Sequence, residues 1–415
     1  MSLHQTLKNR GYIAQETHPL QDILDNKKTH FYIGYDPTAD SLHVGHFLTL
    51  MAASILQKHG HTPIILLGGG TSMVGDPSGR SDMRRMLSEE DIQKNIDNIK
   101  KQMGRFISFE SKDDKPAAIM ANNADWLKKL NYIEFLRDYG AMFSVNRMIK
   151  MDAYKNRMDS DTGLSFLEFN YMIMQAYDFL ELHRRFGCIL QLGGSDQWSN
   201  ILAGVDLIRR AENKDAYGLT LSLLVKANGE KMGKTAGGAL WLDAEKTTPY
   251  DFYQYFRNVD DTDVINCIKL LTFVSEQEII EFSALKGKDI NKAKIRLAYE
   301  VTKLIHGETE AKKAQEAAQS IFESGNNTGE SVPTFAIEKS ELEEGLDIVS
   351  LVIKVGLGTG RGEVRRLIAQ NGIKINGEVI TDDSQKIDIS FIKDNHIMLQ
   401  KGKKTFCKIV VGNVL

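Results

Sequence analysis

Phe31-Tyr32-Ile33-Gly34-Tyr35-Asp36-Pro37-Thr38-Ala39-Asp40-Ser41-Leu42-His43-Val44-Gly45-His46 is the stretch on which the fold turns. It opens as an apolar run of strand length, and Asp36-Pro37-Thr38 ends that run because Pro37 has no N–H to give to a ladder. Asp40 and Ser41 are good helix N-caps, and Phe47, Leu48, Met51 and Ile55 then recur at helical spacing as far as Gly60. The segment therefore predicts strand, turn and helix, with the helix N-terminus delivered beside the strand's carboxyl end. Free N–H groups and the macrodipole there favour an anion by about 0.3–1 kcal/mol. His43 and His46 stand three apart, so both imidazoles project from one face of that positive end. Gly45 between them puts no side chain in the way of a flat ligand.

Outward from this stretch the same alternation continues. Thr62 to Gly70 is a short apolar run of buried-parallel-strand type ending in three glycines, followed by a loop carrying Asp76, Arg80 and Arg84. Ser88 opens an amphipathic helix with Ile92, Ile96, Ile99 and Met103 on one face, and Ala117–Ala121 is a third strand. Cys188–Leu192 is a further strand, ending in Gly193-Gly194-Ser195-Asp196-Gln197, and a strand from Leu219 to Val225 leads into the glycine-flanked loop Lys231-Met232-Gly233-Lys234-Thr235. Alternating strands and helices predict a doubly wound, Rossmann-type α/β domain over residues 1–245, with its crevice at the strands' carboxyl ends. Residues of about 122–187 form a helical insertion rich in methionine and aromatics, explained first by core packing and second by a subunit interface. Within it Tyr171, Gln175 and Asp178 recur at i, i+4 and i+7 on one face of an otherwise apolar helix. Apolar flanks on both sides predict that this polar stripe is buried, and buried polar groups need partners. A helical domain over 246–323, a polar, glycine-rich linker over 324–345 and a small α+β domain over 346–415 complete the chain. That last part reads as helix-turn-helix, strand and an Asn376-Gly377 turn.

Composition narrows the function classes. The chain has 415 residues, 42% hydrophobic and 26% charged, which is ordinary for a globular protein with a substantial core. Cys188, Cys267 and Cys407 lie far apart, with no C-x-x-C and no histidine at ligand spacing, so neither a zinc ribbon nor a disulfide framework is expected. The N-terminal residues lack an apolar signal region, and no run approaches the length of a membrane span. The expectation is a cytoplasmic protein with no membrane partner. The net charge of −3 argues against an obligate nucleic-acid coat, yet residues 347–415 carry 11 Lys and Arg against 7 Asp and Glu. A basic tail on an acidic body fits an RNA footprint.

The pair His43-Val44-Gly45-His46 and Lys231-Met232-Gly233-Lys234-Thr235, in that order, resembles the two signature motifs of class I aminoacyl-tRNA synthetases. The longer string from Tyr32 to His46 resembles the bacterial-type tyrosyl-tRNA synthetase family, and the likeness continues along most of the chain. The resemblance implies that Thr38, His43, Gly45 and His46 hold the phosphate and adenine side of ATP. It implies too that Lys231, Lys234 and Thr235 close on pyrophosphate, helped by Arg80 and Arg84. Gly193 and Asp196 would hold ribose, and Asp36 and Gln197 would sit near the carboxylate under attack. For L-tyrosine it assigns the α-amino group to Asp76, Tyr171 and Gln175 and the phenolic hydroxyl to Tyr32 and Asp178, with Gln191 and Thr49 nearby. The insertion is the homodimer contact in that family, and it is too short to hold an editing domain. The tail resembles the RNA-binding module named after the fourth small-subunit ribosomal protein. Arg361, Arg365, Arg366 and Lys374 are its expected contacts to tRNA(Tyr). The chain departs from the pattern at Ile33, to which no role is carried over, and at Gly233 and Thr235, which replace serines of the wider class motif.

Read as chemistry, these groups make a nucleoside-triphosphate site with no activated Ser or Cys nucleophile and no metal cage. The substrate then brings the nucleophile, and an amino-acid carboxylate attacking the α-phosphate needs no general base. ATP, with its own Mg2+, is expected as substrate and no protein-bound cofactor is expected. Two other readings stand beside this one. Another HxGH nucleotidyltransferase, or the tryptophanyl relative, is disfavoured by the Tyr32 and Asp178 pair and by the RNA-type tail. A non-catalytic RNA-binding dimer is disfavoured by the intact histidines and lysines.

Overall fold

The computed structural model describes residues 1–78, 87–111, 115–159, 163–227, 229–235, 238–324, 334–343, 345–393, 396–402 and 405–411. They form two compact units, one made of residues 1–246 with 260–293 and the other of 247–259 with 294–415.

The first unit is built on six strands: β1 (Ile13–Glu16), β2 (His30–Tyr35), β3 (Thr62–Leu67), β4 (Ile119–Asn122), β5 (Cys188–Gly194) and β6 (Tyr217–Leu221). Their order is β1-β6-β5-β2-β3-β4, all neighbours parallel except β1 against β6. β2 and β3 are nearly continuous apolar runs buried on both faces, as a parallel sheet covered by helices requires. Chain order reverses between β2 and β5, so the switch-point crevice opens where these two strands end. This is the doubly wound architecture expected.

Several element boundaries differ from the expected ones, each for a physical reason. The helix after β2 is Val44–Lys58, and its N-cap is His43 rather than Asp40 or Ser41. Residues 41–43 stay extended because they are bonded elsewhere: Leu42 N–H donates to Gln102 Oε1 at 2.9 Å, Leu242 N–H to Leu42 O at 2.8 Å, and His43 forms a β-bridge with Trp241. Asp40 pairs instead with Lys246 at 2.9 Å. Strand β6 stops at Leu221, and Val225 returns only as a bridge to Lys231. Between β4 and β5 the insertion is helical as expected, ending in the Phe166–Phe186 helix. That helix opens with a Ser165/Glu168 capping box and stops at Gly187, whose φ of 63° lies in the left-handed region. Glu168 also meets Arg157 at 3.1 Å in an ion pair whose side chains are only 1% and 5% exposed.

The helical stretch expected over 246–323 divides between the two units. Helices Val264–Leu271 and Glu276–Ser283 belong to the first, because the Arg10 guanidinium donates to Lys269 O (2.9 Å), Thr272 O (2.7 Å) and Val274 O, and Tyr12 OH to Leu270 O (2.6 Å). The Pro249–Arg257 helix belongs to the second, where Phe252 packs edge-on against His306 at 5.2 Å. Helical periodicity marks each helix but does not say which body its apolar face joins.

In the second unit a five-stranded sheet runs Glu378–Val379, Ile373–Ile375, His396–Lys401, Thr405–Val411, Thr334–Ile337, with only the last pair parallel. The Thr334–Ile337 strand and a Lys339–Glu343 helix lie inside the stretch expected to be linker. Residues 325–333 lie outside the described residues. Helices Ile348–Lys354 and Arg361–Ala369 bury Val349, Leu351, Val352, Val364 and Ile368 in one core with Ile373 and Ile375. Asn376 and Gly377, at φ 50° and 87°, make the expected two-residue hairpin turn.

Candidate active site

A cavity of about 900 Å³ opens at the carboxyl ends of β2 and β5. At its floor, Tyr32 of β2 stands opposite Gln191 of β5 in the parallel register. Both are buried, and Tyr32 OH and Gln191 Oε1 have no hydrogen-bond partner among the described residues. The Phe166–Phe186 helix brings Asp178 to the same floor. Its Oδ1 accepts from Trp126 Nε1 at 2.7 Å and its Oδ2 from Asn123 Nδ2 at 2.9 Å. Burial pushes the Asp178 carboxyl up to about 8, against the pull of those two bonds and with a further push from Asp36 and Glu181. Burial also raises the Tyr32 phenol well above its ordinary range, and the Asp178 charge adds to it.

From this floor a relay runs outward. Asn123 Nδ2 also donates to Thr71 Oγ1 at 2.9 Å, Thr71 Oγ1 donates to Asp36 Oδ1 at 2.8 Å, and Asp36 Oδ2 accepts from Tyr171 OH at 2.9 Å. The triglycine after β3 serves this relay. A Cβ at Gly68 would lie 2.0 Å from Asp36 Oδ1, and the Gly70 N–H donates to Asn123 Oδ1 at 2.7 Å. Beside it lies a second polar cluster. Asp76 Oδ2 accepts from Gln197 Nε2 at 2.7 Å, Gln175 Nε2 donates to Gln197 Oε1 at 3.2 Å, and buried Asn200 donates to Gln175 Oε1 at 3.0 Å. Asp196 reaches toward the mouth, where crowding by protein pushes its carboxyl up, Asp76 adds to the push and Lys231 opposes it.

At the mouth the two motifs meet through backbone. Val44 N–H donates to Leu240 O at 3.0 Å and Leu240 N–H to Gly233 O at 2.7 Å. Gly233 has φ 87°, and a Cβ on it would sit 3.2 Å from Val44 Cβ, so both the backbone conformation and the close approach select glycine. The His43 and His46 rings stack 3.9 Å apart. His43 Nδ1 accepts from Gly45 N–H at 3.0 Å, and the His43 N–H points to His46 Nδ1 at 3.3 Å, so each ring caps the helix. Gly45 lines the cavity, and the stacked ring is a further reason for a small residue there: a Cβ would lie 2.8 Å from His43 Cε1.

Tyr32, Asp36, Thr38, His43, Gly45, His46, Thr49, Asp76, Tyr171, Gln175, Asp178, Gln191, Gly193, Asp196, Gln197 and Lys231 all line this one cavity. Arg80 and Arg84 lie outside the described residues. Lys234 and Thr235 are placed by backbone alone, in a two-residue antiparallel pair with Gly238–Ala239. Arg361, Arg365, Arg366 and Lys374 belong to the second unit, where Arg361 lies 3.5 Å from Asp347 and Arg365 3.0 Å from Asp383. Sequence reasoning missed Thr71, Asn123, Trp126 and Asn200. An asparagine just past a strand end and a tryptophan three residues later carry no periodic signal, and only the meeting of β4's end with a helix more than fifty residues on gives them a task.

Residues 24–323 match the family model "tRNA synthetases class I (W and Y)", and residues 326–409 match the "Tyrosine–tRNA ligase SYY-like C-terminal domain". The chain belongs to this class I synthetase family. It is 54% identical over 412 residues to the tyrosine–tRNA ligase of Clostridium kluyveri, covering 99% of each chain. It is likewise 54% identical over 410 residues to that of Acetivibrio thermocellus, covering 98% of this chain and 99% of that one. A C-terminally truncated mitochondrial tyrosyl-tRNA synthetase from Aspergillus nidulans superposes with a TM-score of 0.69 at 31% identity, covering 77% of this chain and 94% of that one. The bacterial-type tyrosyl family indicated by the motifs, the Rossmann-type core and the added C-terminal domain are thus borne out. No helix of the described residues is long and apolar enough to cross a membrane.

Proposed function

We propose that this crevice condenses L-tyrosine with ATP to tyrosyl-adenylate and pyrophosphate, and then passes the tyrosyl group to the 3′-terminal adenosine of tRNA(Tyr). The observation that carries the reading is the cavity floor. The otherwise unpartnered Tyr32 hydroxyl and the doubly anchored Asp178 carboxylate are a donor and acceptor set fit for one phenol. An indole has no oxygen to complete it. The α-ammonium group of tyrosine belongs near Asp76, Tyr171 and Gln175, and its carboxylate near Asp36 and Gln197.

ATP enters at the mouth with its own Mg2+. Ribose lies on Gly193 and Asp196, and the phosphates lie over the Val44–Lys58 helix N-terminus with Thr38, His43, Gly45 and His46. The carboxylate oxygen bonds to the α-phosphorus as the bond to pyrophosphate breaks, and the electron pair leaves with pyrophosphate. Lys231, Lys234 and Thr235, helped by Arg80 and Arg84, balance the growing charge. In the tail, Arg361, Arg365, Arg366 and Lys374 serve as backbone contacts for tRNA; the three arginines are exposed and Lys374 is half-buried. A homodimer through the insertion is supported by its outward apolar side chains, with Tyr132 60%, Ile133 69% and Phe166 69% exposed. Work in the cytoplasm suits the three unpaired, buried cysteines.

Pyrophosphate exchange measured with each of the twenty amino acids tests the reading. Exchange with tyrosine alone is expected. Equal exchange with phenylalanine or tryptophan would overturn it.

A further inference from the structure

The Val264–Leu271 helix has an N-cap residue that does not cap it. Asp263 occupies that position at φ −94° and ψ −18°, and its side chain makes no bond to its own helix. Its Oδ1 instead accepts the N–H of Ala227 at 2.8 Å, in the tight hairpin that leads into the lysine loop. One turn further along, Cys267 Sγ lies 3.5 Å from Sδ of Met232, the residue between Lys231 and Gly233. Positions i and i+4 share a helix face, so one face of this helix grips the loop at two points. All three side chains are buried, Asp263 at 5%, Cys267 at 0% and Met232 at 7% exposure.

Between the two grips the hairpin is closed on itself by Lys226 N–H to Glu230 O at 2.8 Å, Met232 N–H to Leu224 O at 2.9 Å and the Val225–Lys231 bridge. The helix is held from its other end by Arg10 and Tyr12. Immediately after Met232, Gly233 O bonds to Leu240, which bonds to the first turn of the histidine helix. Lys231, which lines the cavity, thus stands between the two gripped residues, Ala227 and Met232.

We propose that Asp263 and Cys267 are positioning residues for the lysine loop: through Ala227 and Met232 they hold Lys231 at the mouth of the cavity before ATP arrives. Neither lines the cavity, so their effect on chemistry passes through the loop alone. The catalytic half of the inference rests on the tyrosine-activating reading above, and the mechanical half does not. A lysine that must be in place as phosphate charge grows loses effect when its loop samples many positions, whereas tyrosine binds on the cavity floor with other residues.

The test uses the full chain with Asp263→Ala, Asp263→Asn and Cys267→Ala, and two readouts. The first is pyrophosphate exchange against direct tyrosine binding. Asp263→Ala should lower kcat by about ten- to a hundredfold with the tyrosine Kd within about twofold, because misplacement costs rate and not floor contacts. Asp263→Asn keeps an oxygen for the Ala227 N–H and should recover most of the loss. The second is the rate of tryptic cleavage after Lys231, which should rise about fivefold or more in Asp263→Ala and Cys267→Ala because cleavage tracks the open population. Should Asp263→Ala fail to fold, Cys267→Ala decides by the same two measurements. Unchanged cleavage in the folded variants overturns the anchor, as does a loss shared equally by tyrosine binding and exchange that Asp263→Asn does not recover. A wild-type chain that shows no tyrosine-dependent exchange refutes the reaction instead, and the cleavage comparison still decides the anchor.

Discussion

Asp178→Asn tests the group proposed to read the phenol. The wild-type carboxylate accepts from Asn123 Nδ2 at 2.9 Å and Trp126 Nε1 at 2.7 Å, and its remaining lone pairs are available to a phenolic O–H. An amide of the same shape has one oxygen, so one of the two protein donors faces an NH2 group. That mismatch is carried by free and liganded protein alike, and it cancels from affinity. Measured above about pH 8, where burial no longer keeps the free Asp178 carboxyl protonated, what the complex alone loses is a hydrogen bond to a charged acceptor, worth about 1.5–3 kcal/mol, or about 10- to 150-fold in kcat/KM for tyrosine. Phenylalanine makes no such bond, and its kcat/KM should change less than about threefold. Pyrophosphate exchange with both amino acids measures the pair on one preparation. If both substrates lose activity together, or if tyrosine kcat/KM stays within about threefold of wild type, Asp178 is a packing residue and the reasoning fails.

Three further outcomes follow from the same geometry. Because burial holds free Asp178 up at about 8 and a phenolic donor favours its ionised form, tyrosine affinity should strengthen as pH rises toward 8 and level off above it; calorimetry should find that slope absent in Asp178→Asn. Gly233→Ala should slow adenylate formation with little change in tyrosine Kd. The φ of 87° and the 3.2 Å approach to Val44 Cβ make alanine costly by about 1–2 kcal/mol, and single-turnover kinetics would contradict this by giving a wild-type rate. A chain ending at Ser324, just before the tail strand Thr334–Ile337, should keep tyrosine-dependent exchange while tRNA charging falls by about a hundredfold or more; equal loss of both reactions would assign the tail to the catalytic body.

The sheet and its crevice were legible in the chain because each rests on a local signal, while most of the lining was named only through the family resemblance of the motifs. Apolar runs ending in glycine or proline mark β2, β3 and β5, and the i, i+4, i+7 stripe of Tyr171, Gln175 and Asp178 marks the helix across them. The histidine and lysine motifs stand far apart in that domain's sequence, and it was their resemblance, as an ordered pair, to the class I synthetase signatures that implied a shared site. The tertiary structure alone decided matters that depend on distant backbone. His43, not Asp40 or Ser41, caps its helix, since residues 41–43 are drawn into an extended pairing with Trp241 and Leu242. Gly45 and Gly68 are glycine because a ring and a carboxylate fold over them. Asn123 and Trp126 matter because β4 ends beside Asp178, and Asp263 and Cys267 because Arg10 and Tyr12 draw their helix onto the first unit. Propensity and periodicity report which face of an element is apolar, whereas the partner a polar group finds is set by where another element's end happens to arrive.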